Sequence, residues 1–331
     1  ESLNINKNGI SLIGENKYST IIDGNGTGDA IYAQNHNDIV ISNFIVRNAG
    51  EHGIYIIAFE GNIHNNNIEN CLIFNNSKDG IFVRGWRGSA EYTTIKDCEI
   101  YNNGGKGIEI LANSDTGLAR YNHIQNSKIY SNLGEGGIGI WGDAWRVENT
   151  IISNCECYEN SGYGIFLAGD YSKVLNCTVY NNSGNGIYTY HTAEVVTNCT
   201  SYNNIDDGIW MNGAESVLTN CYSYDNFGSG INIQRNNPLI ENNKAYGNGE
   251  YGCRVHQIVT FSMLNSIFYD NNKGIIIDES SEGNIINCSS YGNTWSGIII
   301  DSSHDVEIDK CSSHDNYNGI ILIDESYDNT V

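Results

Sequence analysis

Nothing in this chain of 331 residues marks a domain boundary: Pro238 is its one proline, and no Gly/Ser-rich linker or compositional break interrupts it. Residues 1–331 therefore read as a single domain. No apolar run reaches the ~18 residues that a membrane-crossing helix needs, so membrane insertion is not expected. Basic residues are scarce, with 17 Lys and Arg against 39 Asp and Glu and a net charge of −22. Such a surface repels phosphate backbones and excludes nucleic acid as a partner. It suits an extracellular or cell-surface protein. CxxC pairs, HExxH and EF-hand loops are absent, so no metal and no cofactor are assigned, although Asp-rich turns could hold Ca²⁺. Initiator Met and signal peptide are missing too, and the last repeat stops in mid-coil at Val331, so a fragment of a longer precursor is expected.

What is present is a repeat. Gly followed by an apolar residue recurs at Gly53, Gly80, Gly107, Gly137, Gly164, Gly186, Gly208, Gly230, Gly252, Gly274, Gly297 and Gly319. The spacing is 27 to 30 residues up to Gly164 and 22 or 23 after it. Eight to ten residues before each Gly stands a small or apolar residue, most often Cys, and five residues after that an Asn. A period of about 20–50 residues signals a solenoid, and a β-rich unit this short signals a parallel β-helix, here of about 13 coils of about 22 residues.

Ten cysteines would normally suggest disulfides. Eight of them, Cys71, Cys98, Cys155, Cys177, Cys199, Cys221, Cys288 and Cys311, share one place in the coil. Stacked coils set equivalent Cβ atoms about 4.8 Å apart, beyond the usual disulfide separation of about 3.8 Å. A ladder of buried thiols is expected instead. The Asn from Asn76 to Asn316 should form a second ladder, each amide bonding to the coil above, because Asn tolerates left-handed backbone and bonds locally. Gly at the strand start reads as a backbone requirement.

The repeat breaks between about residues 53 and 155. From each Gly to the next ladder position is 18 to 20 residues in the coils of Gly53, Gly80, Gly107 and Gly137, and 13 or 14 afterwards. The extra residues follow the Gly-Ile-x-Ile strand and should build a wall beside its outer face, where solenoids carry function. Outward positions on that strand alternate. They give Phe82, Arg84 and Trp86 with Arg87, then Glu109, Trp141 and Asp143 with Trp145 and Arg146, then Phe166 and Asp170. Further on come Tyr188, Tyr190 and His191, Trp210 and Asn212, Asn232, Gln234 and Arg235, and Arg254 and His256. Beyond these the face turns plain, with Ile276, Asp278, Ile299 and Asp301. Exposed aromatics stack on sugars and Arg pairs with carboxylates, so the expected partner is an acidic polysaccharide. The alternative is that the aromatics stack on one another and protect a sheet.

Glycoside hydrolysis needs two carboxyl groups across the scissile bond. Asp143 and Asp170 hold the same place in adjacent coils, about 5 Å apart by stacking, with Glu109 one coil away. They are the candidate catalytic residues for an endo-acting hydrolase. The substrate-binding set is Arg84, Trp86, Arg87, Trp141, Trp145, Arg146, Tyr188, Tyr190, His191, Trp210, Asn212, Arg235, Arg254 and His256. A lyase is the alternative, with Arg84, Arg146, Arg235 or Arg254 neutralising a uronate and Tyr188, Tyr190, His191 or His256 as base. A non-catalytic glycan-binding module would use the same face.

The Asn-Cys-x-x-Tyr-x-Asn…Gly-Ile-x-Ile repeat resembles the right-handed parallel β-helix superfamily of pectate lyases, polygalacturonases, alginate lyases and epimerases, and surface proteins. Asp206-Asp207-Gly208-Ile209 resembles the Asp pair of polygalacturonases and calcium-dependent pectate lyases, but Asn-Thr-Asp and Gly-His-Gly are absent and the lyases' Lys is not evident. The opening Ser11–Gly24 is similar to the first coil of large archaeal surface β-helix proteins, and the chain is similar in style to the disaggregatases of Methanosarcina. That resemblance implies cleavage of a chondroitin-like matrix glycan and transfers no catalytic residue.

Overall fold

The computed structural model describes residues 2–113, 116–142 and 145–331. The protein is an all-β parallel solenoid of about 13 turns with about 23 residues per turn. No helix among the described residues is long and apolar enough to cross a membrane. The chain divides into two compact units, Glu1–Thr178 and Val179–Val331.

In the first unit each turn contributes one strand to each of three parallel sheets. Sheet A collects the Gly-Ile-x-Ile strands, among them Ile54–Phe59, Ile81–Trp86, Ile108–Asn113, Gly136–Gly142 and Tyr163–Leu167. Sheet B follows with Asn67–Glu69, Thr94–Lys96, His123–Gln125, Ile151–Ser153 and their like, and sheet C with Leu72–Phe74, Glu99–Tyr101, Lys128–Tyr130 and Glu156–Tyr158. Alternation decides what is inside. Ile81 and Val83, Ile108 and Ile110, and Ile138 and Ile140 are fully buried from sheet A, as are Ile95 and Ile124 from sheet B and Ile100 and Ile129 from sheet C. Burying one such side chain stabilises the coil by roughly 1.5–3 kcal/mol.

The second unit repeats the plan. Its sheet A runs through Ile187–Tyr190, Ile209–Asn212, Ile231–Gln234, Tyr251–His256, Lys273–Asp278, Ser296–Asp301 and Asn318–Ile323. Strands such as Val217–Thr219 and Leu239–Glu241 form its sheet B, and Tyr222–Tyr224 and Lys244–Tyr246 its sheet C. On sheet C the rings of Tyr202, Tyr224, Tyr246, Tyr269, Tyr291 and His314 stack in order at 4.8–5.1 Å. Here the aromatics do protect a sheet by stacking on one another.

The lengthened turns do not build the expected wall. They form a fourth short sheet, D, of Ile63–His64, Ser89–Glu91, Leu118–Arg120 and Val147–Glu148. Its inward residues Ile63, Ala90, Ala119 and Val147 are at most 1% exposed. The extra residues thus widen the core on a fourth side, because each short segment carries an apolar residue at the inward position.

Both ladders are present. All ten cysteines are unbridged, and all but Cys311 are buried. Cys98 Sγ donates to Lys96 O at 3.2 Å, and Cys177 Sγ to Leu175 O at 3.4 Å. In the first unit Asn76 Nδ2 donates to Asn103 Oδ1 at 2.9 Å, and Asn103 Nδ2 to Asn132 Oδ1 at 3.0 Å. In the second, Asn204, Asn226, Asn248 and Asn271 continue the pattern at 2.9–3.0 Å. The left-handed residue is the one before the ladder Asn, as at Asn75, Asn102 and Asn203, with φ of 53–55°. The ladder Asn itself turns its amide inward. Gly80 is required by space rather than by φ: an added Cβ would lie 2.5 Å from Ile100 Cγ2 and 2.7 Å from Gly107 O.

Candidate functional site

In the first unit the side chains on the outer face of sheet A are closely engaged with one another. Tyr55 and Phe82 stack at 4.9 Å, with His52 tilted against both. The Arg84 guanidinium lies 3.8 Å from the Trp86 ring centroid, and its Nε donates to Asn113 Oδ1 at 3.1 Å. Burial raises the Tyr55 pKa against the pull of Arg84. Arg87 pairs with Glu60 at 2.9 Å.

Glu109 is 8% exposed and accepts from Lys106 Nζ at 3.0 Å and from Trp141 Nε1 at 2.7 Å. Gly139, one rung on, makes room for this pair: a Cβ there would meet Lys106 Cδ at 2.6 Å. Burial works against the Lys106 charge, but Glu109 and Glu135 outweigh it and the pKa is raised. Glu109 is thus a packed ion-pair member shielded by Trp141.

Of the expected carboxylate pair, Asp143 lies outside the described residues. Asp170 is in register with Glu148 of sheet D, and its carbonyl accepts from Asn149 N at 3.0 Å. The sheet A strand of its turn ends at Leu167, so the chain has already left that face when it reaches Asp170. Trp145 stands exposed on the same long turn, its carbonyl accepting from Arg120 Nη2 at 3.3 Å, and Arg146 follows it with its carbonyl bonded to Ala119 N.

In the second unit the outer face of sheet A has two columns. Register places Tyr188, Trp210, Asn232 and Arg254 in one, and Tyr190, Asn212, Gln234, His256, Asp278 and Asp301 in the other. Tyr188 stacks on Trp210 at 4.5 Å, and Tyr190 meets Tyr188 and His191 edge-on. Arg235 Nε donates to Asn212 Oδ1 at 3.1 Å. Two neighbouring rungs carry one donor and one acceptor, Trp210 Nε1 and Asn232 Oδ1, that have no partner among the described residues. Asn232 Nδ2 donates to Asp207 Oδ2 at 2.8 Å, and burial raises the Asp207 pKa. The Asp206-Asp207 motif is thereby explained in part: Asp207 Oδ1 accepts from Ser229 N at 2.7 Å and ties one turn to the next.

The columns converge on a cluster. Arg254 grips Asp278 with two bonds, Nε to Oδ1 at 3.2 Å and Nη2 to Oδ2 at 2.6 Å. His256 Nδ1 lies 2.8 Å from Asp278 Oδ2. Asp278 is 8% exposed and raises the Arg254 pKa further. Arg254 Nη2, which can only donate, lies 3.5 Å from the same Nδ1, so the ring sits between a carboxylate and a guanidinium. With the ring proton on Nδ1 toward Asp278, Nε2 is the acceptor and the group is an oriented base. Asp278 was passed over in the sequence as part of the plain end of the face. The available signal was its place in the His256 column, one turn later.

Among the described residues, Asp29, Glu51 and His52 bring ligand atoms within 4.8 Å of one another. His52 Nδ1 is also 3.2 Å from Asp79 Oδ2.

The sequence matches the family described as the right handed beta helix region over residues 86–233 and 207–331. No curated protein matches it. Among solved structures, the A-modules of two Azotobacter vinelandii mannuronan C-5 epimerases are similar. AlgE4 is 16% identical over 92% of this chain and 91% of its own, with a TM-score of 0.63. AlgE6 is 15% identical over 92% and 90%, with a TM-score of 0.64. The Agl-KA catalytic domain is 11% identical over 91% of this chain and 62% of its own, with a TM-score of 0.58. At these identities the likeness is one of fold.

Proposed function

The chain belongs to the right-handed β-helix family, matched from residue 86 to residue 331, and on that frame we propose that the outer face of sheet A in the second unit acts on an acidic polysaccharide by removing the proton at C5 of a uronate. The observation that carries this reading is the His256–Asp278–Arg254 cluster on an exposed sheet face beside Trp210 and Tyr188. Trp210 and Tyr188 stack a sugar ring, and Arg235 and the guanidinium edge of Arg254 not held by Asp278 take the uronate carboxylate. Neutralising that carboxylate acidifies the neighbouring C–H. His256 Nε2 accepts the proton, and Asp278 stabilises the imidazolium that results. The C4–O bond then breaks as the C4=C5 double bond forms, and the departing oxygen takes a proton from the His256 imidazolium or from water, which completes elimination. Delivery of a proton from water on the opposite face of C5 gives epimerisation instead.

This reading takes the lyase alternative over hydrolysis. Glu109 is engaged with Lys106 and Trp141, and Asp170 stands in the turn beside Glu148. The substrate class is that named for the mannuronan C-5 epimerases, carried over as a suggestion with the fold. The acidic surface and this substrate support a location outside the cell or on its surface.

The test is incubation with polymannuronate, pectate and chondroitin, following reducing ends, ultraviolet absorbance of unsaturated uronate and C5 configuration by NMR. Elimination raises the first two together, and epimerisation changes only the third. Either signal, lost in His256→Gln, supports the proposal. Reducing ends without absorbance would replace it with hydrolysis. Glycan binding without any turnover would leave a binding module.

A further inference from the structure

We propose that the first unit carries a separate binding site for a neutral pyranose chain, on the outer face of sheet B beside Tyr92. The site is independent of the sheet A reading and uses none of its residues.

Tyr92 and Tyr121 hold equivalent places in successive turns, two residues before the sheet B strands Thr94–Lys96 and His123–Gln125. Both have left-handed backbone, with φ of 53° and 56°. The turns on either side put Asn65 and Asn149 at that place, with φ of 55° and 51°. Asn accepts this conformation readily, whereas a bulky side chain pays of order 1–2 kcal/mol for it. Tyrosine fills this place at Tyr92, Tyr121 and again at Tyr171, and Tyr92 and Tyr121, 50% and 40% exposed, stand in successive turns. Their rings stack at 5.1 Å and 8°.

Tyr121 covers one face of the Tyr92 ring, and Tyr92 also lines an open, shallow depression of about 450 Å³ with Asn65, Asn66, Asn67, Thr94, Lys96 and Gln125. Asn67 Nδ2 donates to Glu69 Oε2 at 3.2 Å and its Oδ1 is closed off from solvent, so the polar groups offered to a ligand are those of Asn65, Thr94 and Gln125. Lys96 is paired with Glu69 at 2.6 Å, so the floor offers no uncompensated cation.

One aromatic face, amide groups, a hydroxyl and a balanced ion pair describe a site for an uncharged sugar. A pyranose lays its C–H face on Tyr92, with Tyr121 stiffening the platform, and its hydroxyls meet Asn65, Thr94 and Gln125. An acidic glycan gains nothing here, in contrast to the Arg-bearing face of the second unit.

The experiment uses the full chain with cellotetraose and chitotetraose as probes, read by saturation transfer and by titration calorimetry. Either probe should bind with a dissociation constant in the millimolar range or below, with transfer to ring C–H protons. Tyr92→Asn should weaken binding by about tenfold or more, and Tyr92→Phe by no more than about twofold. Because Asn is what the adjacent turns already carry, Tyr92→Asn should keep or raise the unfolding temperature, so a loss of binding reads the site and not the fold. No binding of either probe at about 10 mM overturns the proposal. So does binding that survives Tyr92→Asn, and so does binding that is lost instead in Trp210→Ala.

Discussion

Each unit presents a sheet A face to solvent, and the two faces are used differently. In the first, each charged or aromatic group meets a close partner on the next rung: Tyr55 with Phe82, Arg84 with Trp86 and Asn113, and Glu109 with Lys106 and Trp141. In the second, a histidine sits against a buried carboxylate that also binds an arginine, and Trp210 Nε1 and Asn232 Oδ1, two rungs and one rung before His256, have no partner among the described residues. Aromatic and arginine content alone would have favoured the first unit. What distinguishes the second is which polar atoms remain after the face has packed on itself.

The sharpest way to break this comparison is a pair of substitutions. His256→Gln should lower turnover on the uronate polymer by about 10²–10⁴, the usual contribution of a positioned base. Glu109→Gln should leave turnover within about twofold. Initial rates on one substrate measure both, and the reverse pattern would return the chemistry to the first unit.

The next effect is common to both units and tests whether their scaffolds are equivalent. Asn132→Ala in the first and Asn226→Ala in the second each remove an acceptor used by the buried backbone N–H and amide of the previous rung. Leaving those donors unsatisfied should cost about 2–4 kcal/mol in either case, read from urea unfolding. Glu109→Gln comes lower, at about 1–2 kcal/mol. Lys106 keeps Glu135 at 3.4 Å, and the new amide oxygen can still accept from Trp141.

How much of this could be read beforehand follows from what each residue answers to. The Gly, Cys and Asn columns lie inside a narrow coil, where one environment repeats every turn and admits few side chains. Their spacing therefore gives the fold directly. The outer face has no such constraint. Alternation says that Arg254, His256 and Asp278 point outward, but not that their rotamers meet. Spacing from Gly likewise put Asp170 on the sheet A face, whereas it stands beside Glu148 of sheet D. A three-residue segment such as Leu118–Arg120 with one buried Ala carries too short a pattern to distinguish a strand from a loop wall. Tyr92 was invisible for the same reason: nothing in its neighbours predicts left-handed backbone for a tyrosine.

The smallest expected effect concerns one column seen in both units, the residue before the repeat Gly. Asp79 in the first unit lies 3.2 Å from His52 Nδ1 and adds to the field that keeps Lys106 charged. Asp207 in the second is held by Ser229 N and Asn232 Nδ2, and the neighbouring charge is that of Asp206, of its own sign. Burial raises the Asp207 pKa above 3.8, and Asp206 adds to the rise. The folded state therefore binds the proton more tightly than the unfolded chain, and this carboxyl costs stability as pH rises from about 3.8 through its folded value. Asp207→Asn removes that cost. Its Oδ1 still accepts from Ser229 N, and Asn232 can turn its partnerless Oδ1 toward the new amide. The substitution should raise stability at neutral pH by up to about 1 kcal/mol, and the gain should fade as the pH falls toward 3.8. Asp79→Asn should do the opposite, losing stability at neutral pH because His52 and Lys106 lose a negative neighbour. Thermal unfolding of the two variants at pH 4 and pH 7 (about the two ends of that titration) decides the matter. If both shift in the same direction at neutral pH, the column is electrostatically alike in the two units, and the contrast between them is confined to the outer face.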